Sequence, residues 1–251
     1  MGTLLTRRDA ASSGIGAVAL VAALIGGGVL YQTVVGGSSQ QLVTAMLIDA
    51  IIVVGLQVYI GNTGVLSFGH IGFGAIAGYT FAVLAIDPDR KSLVIRNAPW
   101  GLDEVQFSPF VSVVLAVLVT LAVAVVVGLG LARSGAASGA VAATVITLAL
   151  LFVTHELAVN WNDLTGGDRA GLSFRVGATL SSRWPIYGAL LGAVVVARVF
   201  AVSRPGQLAQ AAREDDVAAR AMGIDPKVQQ MMALLISVAI VAVGASLRVY
   251  S

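Results

Sequence analysis

The chain has no cysteine, which excludes disulfides and thiolate metal sites and leaves the redox compartment unread. It is short of charge as well. Asp, Glu, Lys and Arg make up 11% of its 251 residues, where a soluble domain carries about 25%. That leaves too little polar surface to keep the chain in water. A large charge of one sign is missing too: 15 basic and 13 acidic residues give a net +2, and no basic stripe forms, so a nucleic-acid partner is not expected. Two histidines are present. His155 sits directly beside Glu156, not at the three- or four-residue spacing of a metal pair. No Gly-Lys-Ser/Thr follows a glycine-rich stretch, so there is no P-loop. No acid–base pair converges, and neither a catalytic residue nor a metal site is expected.

What is present is apolar sequence. Hydrophobic residues reach 57% and mean hydropathy is +0.91. A helix needs about 20 apolar residues to cross the hydrocarbon core. Seven segments approach this, at roughly 14–34, 42–60, 65–86, 109–132, 140–157, 185–202 and 228–247. Hydrocarbon offers no partner to a free backbone N–H or C=O, so continuous runs of this kind must be helices. The expected fold is an all-α, polytopic membrane bundle with the lipid bilayer as its solvent. Arg7 and Arg8 ahead of an apolar run resemble a signal peptide. The run is long enough to span and no small-x-small cleavage site follows, so a retained first helix is expected. Met1-Gly2 with Thr6 also fits a short myristoylation pattern. With Arg7 and Arg8 in the cytoplasm, seven crossings put Arg133 and residues 198–227 there too. Residues 87–108 and 159–183 then lie outside, with only a weak excess of Lys and Arg inside.

The most informative loop is 203–227. Pro205-Gly206 is expected to end the preceding membrane helix. Residues 207–222 then read as one short helix with a small apolar face made by Leu208, Ala211, Ala212, Ala218, Ala219 and Met222. Gly223 is placed to close it in the left-handed conformation. Asp225 and Pro226 suit the cap and first position of the next helix. Such a segment is either an interfacial connector or a docking helix for a partner. A second dense region is 61–79, with glycines at 61, 64, 69, 72, 74 and 78. Gly61 to Gly64 reads as a turn, and Gly74-xxx-Gly78 is a small-xxx-small face for close helix approach. A broken helix here would also offer backbone groups to a polar solute.

These strings carry a resemblance. Ala218-Ala219 followed by Gly223, within Arg-Glu-Asp-Asp-Val-Ala-Ala-Arg-Ala-Met-Gly-Ile at 213–224, resembles the coupling loop of ABC importer permeases, in the version of the branched-chain amino acid family. The family's usual glutamate before the two alanines is replaced by Val217, with Asp216 one position earlier. Asn62-Thr63-Gly64, Ser67, Gly69-His70 and Gly78-Tyr79 resemble the segment that opens the permease core. Asn160-Trp161 through Leu164-Thr165-Gly166-Gly167 to Gly171-Leu172 resembles an external loop of the same family. The three fall in the family's order over residues 42–250.

The resemblance implies a single permease domain over 1–251, in a bacterial cytoplasmic membrane with a cytoplasmic N-terminus. It implies a second permease subunit, two ATPase subunits that bind the ATP, and an external solute-binding protein. Arg213, Glu214, Asp215, Asp216, Ala218, Ala219 and Gly223 would couple to the ATPase. Asn62, Thr63, Gly64, Ser67, Gly69, His70 and Gly72 would line the solute pathway. Asp49 and Gln57 join this set because they lie inside the second apolar run. A charge there costs roughly 2.5–3.5 kcal/mol, so Asp49 should face the bundle or a cavity, as a solute contact or as a paired structural carboxylate. His70 is expected to pack and hydrogen-bond, not to shuttle protons. The solute would be a branched-chain amino acid or, in the same family, urea, a short amide or an aromatic acid. The chain also stops where family members continue, which reads as a C-terminally short chain and leaves a non-transporting fragment as the alternative.

Overall fold

A computed structural model describes residues 7–35, 39–89, 91, 95, 99–102, 104–165 and 184–251, with the side chains of these apart from 7–14, 17, 20, 32–35, 39, 40, 100 and 132–142. The elements are α1 (Arg7–Val35), α2 (Ser39–Thr63), α3 (Gly69–Ala85), a single 3-10 turn at Pro99–Gly101, α4 (Pro109–Asn160), α5 (Asn162–Thr165), α6 (Trp184–Val202), α7 (Arg204–Glu214), α8 (Asp216–Ala221) and α9 (Pro226–Tyr250). Among the described residues there is no strand. Among the described residues, five stretches are long and apolar enough to cross a membrane: Gln41–Thr63, Pro109–Leu131, Ala143–Asn160, Trp184–Val202 and Pro226–Tyr250. The protein is an all-α, multi-pass membrane protein.

Of the seven expected spans, the first, 14–34, lies within α1, where the described apolar stretch is Val21–Tyr31. The third expected span, 65–86, is helical only from Gly69, giving α3 17 residues or about 25 Å. Residues 64–68 form a non-helical link instead. Two further spans, expected as separate helices at 109–132 and 140–157, are helical without interruption as α4. A straight helix of its 52 residues would run about 78 Å, but this one doubles back. Val113 and Ala116 share a buried cluster with Phe81, Ala82, Ala85 and Ile86, and Val117 packs against Ala77. Gly69 meets Thr147 and Leu150, and Gly72 meets Leu151 and Thr154. The first half of α4 is therefore antiparallel to α3 and the second half parallel to it.

Apolar side chains gain little from leaving lipid for one another, so packing here depends on close approach. α9 is the hub, lying against α2, α3 and α4. Gly55 of α2 faces Val241 and Ile240, and Gly244 of α9 faces Ile51 and Ile52. Gly74 and Gly78 face Val241, Ala245 and Val249, so the expected small-xxx-small face packs on α9. Both ends of the bundle carry polar work. At the end holding Pro109 and Tyr250, Lys91 is buried and its Nζ donates to the carbonyls of Leu102, at 2.9 Å, and Val105, at 2.5 Å. That lysine staples the 87–107 loop from within. The opposite end holds the 64–68 link and the 203–226 loop.

Candidate functional site: the 203–226 loop and the broken α2–α3 link

Ser203 caps α7, its Oγ accepting from the Gly206 N–H. Pro205 lies in the first turn of α7, where its fixed φ and missing N–H do no harm. It opens this helix and does not end α6. Gly206 has no room for a side chain, because a Cβ there would fall 1.9 Å from the Phe200 carbonyl oxygen.

The single helix expected over 207–222 is two. Asp215 adopts an extended φ of −151° and accepts from the N–H groups of Val217 and Ala218, so it ends α7 and caps α8. The break resets the helical phase and divides the expected apolar face. Ala209 and Ala219 are buried against the bundle. Val217, 78% exposed, and Met222, 81% exposed, face away. Arg220 pairs with Asp216 at 2.7 Å, one turn apart and half-exposed, a contact worth about 0.3–0.5 kcal/mol. Gly223 closes α8 at φ +78°. Its N–H bonds Arg220 O while the Ile224 N–H bonds Ala219 O, the paired bonds of a Schellman ending. Asp225 caps α9 through the Lys227 N–H, with Pro226 in the first turn. These last three residues stand as expected.

The loop is bonded to the end of α2. Gln210 Nε2 donates to Asn62 Oδ1 at 2.7 Å and to Ala201 O at 3.2 Å. Asn62 Nδ2 in turn donates to Val58 O. Arg213 Nη1 donates to Gly61 O at 2.6 Å, and Arg213 also pairs with Glu214. Thus α2 runs through Gly61 to Thr63, and the turn expected at Gly61–Gly64 begins at Gly64, whose φ is +70°. The Arg213 side chain covers that glycine. Thr63 Oγ1 donates to Tyr59 O and accepts from the Val65 N–H. Thr147 Oγ1 accepts from the Phe68 N–H, and Thr144 Oγ1 donates to Leu66 O. Side chains therefore satisfy a stretch of backbone that has no helical ladder of its own.

His70 sits in a buried relay. Its Nδ1 lies 2.8 Å from Ser67 Oγ and its Nε2 lies 2.6 Å from Ser237 Oγ. Ser237 Oγ donates its proton to Gly55 O at 2.7 Å, so it must accept from His70. That fixes the Nε2–H tautomer and makes Nδ1 the acceptor from Ser67. All four groups are satisfied by a neutral ring, and the relay ties α2, α3 and α9 together.

The structure thus brings Asn62, Thr63 and Gly64 to the 203–226 loop, and Ser67 and His70 to the helix junction. Gly69 and Gly72 pack on the second half of α4. Asp49 and Gln57 are both exposed on α2 and turned away from this chain's own bundle. Asp49 lies 3.7 Å from Arg248. The outward stripe Leu42, Met46, Asp49, Val53 and Gln57 follows the helical period, which put Asp49 on the wrong side for a core. His155 and Glu156 are exposed near the end of α4. Residues 166–172 of the third matching string, Gly166 and Gly167 included, lie outside the described residues, as does the side chain of Arg133. Gln210, Lys91, Ser237 and Arg248 were not singled out by the sequence; all but Lys91, whose carbonyl partners lie in its own loop, act through a partner far along the chain.

Comparison with known proteins agrees with the motifs. Residues 38–251 match the family described as branched-chain amino acid transport system / permease component. The chain is 26% identical to the high-affinity branched-chain amino acid transport system permease protein LivM of Salmonella typhimurium, over 87% of this chain and 54% of that protein. It spans about half the length of that curated relative. No solved structure matches it. With most of its length matched, and with the membrane helices and loop geometry in place, the chain belongs to the permease component family of branched-chain amino acid transport systems.

Proposed function

We propose that the chain forms half of the membrane pathway of an ATP-driven importer in a bacterial cytoplasmic membrane, working with a second permease subunit, two ATPase subunits that bind the ATP, and an external solute-binding protein. The whole of 1–251 acts as one permease unit, with its N-terminus and the 203–227 loop in the cytoplasm. The solute is a branched-chain or related amino acid. The observation that carries this reading is the α7–α8 pair. It is seated on the bundle through Gln210, Arg213 and Ala219, and it turns Val217 and Met222 outward. Two large apolar side chains at the tip of a water-facing loop suit a partner's cleft better than water.

The test is co-purification with the neighbouring ATPase, comparing wild type with Val217→Asp and Met222→Asp. Both side chains are exposed, so neither change disturbs the chain's own packing. Loss of the ATPase from the variants, with membrane insertion retained, is the expected result. A wild type that retains no ATPase would overturn the reading. Uptake competition with leucine, urea and benzoate then separates the solute classes.

A further inference from the structure

An open groove of about 610 Å³ runs between α2, α3 and α9, walled by Ile52, Ile71, Gly74, Ala75 and Val241. Arg248 is among its lining residues; Asp49 is outside the lining, just under one helical turn before Ile52, and reaches the groove through Arg248. Their charged groups are 3.7 Å apart, with side chains 49% and 60% exposed. That separation is longer than the 2.7–2.9 Å or so of a tight N–H···carboxylate bond. Asp49 lies close to the middle of the Gln41–Thr63 span, where a carboxylate facing lipid costs roughly 2.5–3.5 kcal/mol. This face therefore meets water or protein within the membrane, not hydrocarbon.

The geometry points to this groove as a subsite for a zwitterionic amino acid, an assignment that rests on the importer reading above. An α-amino acid carries its carboxylate and ammonium on one carbon. A site for it needs a cation and an anion within a few ångströms of each other, beside an apolar wall. Arg248 takes the carboxylate, with the planar fork suited to bidentate contact, and Asp49 takes the ammonium. The solute's aliphatic side chain lies along Ile52, Ile71 and Val241. Urea, a neutral amide or an aromatic acid satisfies at most one of the two charges and leaves the other unpaired, which disfavours it.

Two measurements on the complete transporter complex test this. The first is leucine uptake in proteoliposomes by wild type, Asp49→Asn, Arg248→Gln and the charge-swapped pair Asp49→Arg with Arg248→Asp. Uptake by each single variant falls about tenfold or more, and the swapped pair does not recover it, because the solute cannot reverse within a groove whose apolar wall is fixed. Wild-type uptake by the swapped pair, or by both single variants, overturns the subsite and leaves Asp49–Arg248 as a structural ion pair. The second needs no variant: labelled leucine bound to wild-type complex without its solute-binding protein, displaced by isoamylamine or 4-methylpentanoate. Each analogue lacks one charge and competes about tenfold more weakly than leucine itself. Equal competition, or no leucine binding at all, overturns the subsite. A wild-type complex that assembles with its ATPase yet takes up no leucine defeats the amino-acid reading itself, a result distinct from active uptake with indifferent variants.

Discussion

Gln210 on α7, in the 203–226 loop, and Asn62 at the end of α2 are joined side chain to side chain at 2.7 Å, across 148 positions of sequence. Asn62 is buried and spends its own N–H on Val58 O, so its side-chain oxygen depends on Gln210. Gln210→Ala leaves that oxygen without this donor and is expected to cost about 1–3 kcal/mol. A double-mutant cycle with Asn62→Ala, read by unfolding in detergent, should return a coupling well above zero. Strict additivity would show the contact to be idle.

Two glycines in the same loop are needed for different reasons. Gly206→Ala forces a methyl into the Phe200 carbonyl and should abolish a monodisperse preparation. Gly223 has open space around it but a φ of +78°. Gly223→Ala should therefore cost about 1–2 kcal/mol, confined to the closing turn of α8, while Gly223→Asn is better tolerated. Gly188→Ala and Gly192→Ala, which meet nothing within 4 Å, serve as neutral controls in the same thermal assay.

Ser237→Ala removes both an acceptor for His70 and a donor to Gly55 O. The His70 Nε2–H loses its acceptor and the Gly55 carbonyl its side-chain donor, against one lost contact for Ser67→Ala. Ser237→Ala should be the more destabilising of the two by thermal melting; the reverse order would contradict the assigned tautomer.

Lys91→Met keeps the length of the side chain but loses the two carbonyl contacts that hold the 87–107 loop. Hydrogen bonds from a charged donor contribute about 1.5–3 kcal/mol each. Limited proteolysis should cut this loop faster in the variant, with the membrane helices left intact.

The long apolar runs and the caps at Gly223 and Asp225 could be read from the sequence because each depends on a residue and its immediate neighbours. The break at Asp215 carried the same kind of local signal, an aspartate ahead of two N–H groups, but the small-residue periodicity on both sides concealed it. Long-range partners left no such mark. Nothing near Gln210 announces Asn62, and nothing near Arg248 announces Asp49. The expectation that Asp49 faces the bundle or a cavity rests on the cost of a charge in hydrocarbon, which does not say which side of α2 carries it. Periodicity alone, with Met46, Val53 and Gln57 on the same stripe, put it outside.

The short α3 leaves residues 64–68 held by Thr63, Thr144 and Thr147 in place of a helical ladder. A helix yields only when its own rungs are broken together, whereas a strand of backbone hung on threonine hydroxyls yields when a few χ1 angles turn. The link between α2 and α3 is thus a latch on a few hydroxyl hooks, and each hook that lets go must hand its amide N–H or carbonyl to water or to another polar group.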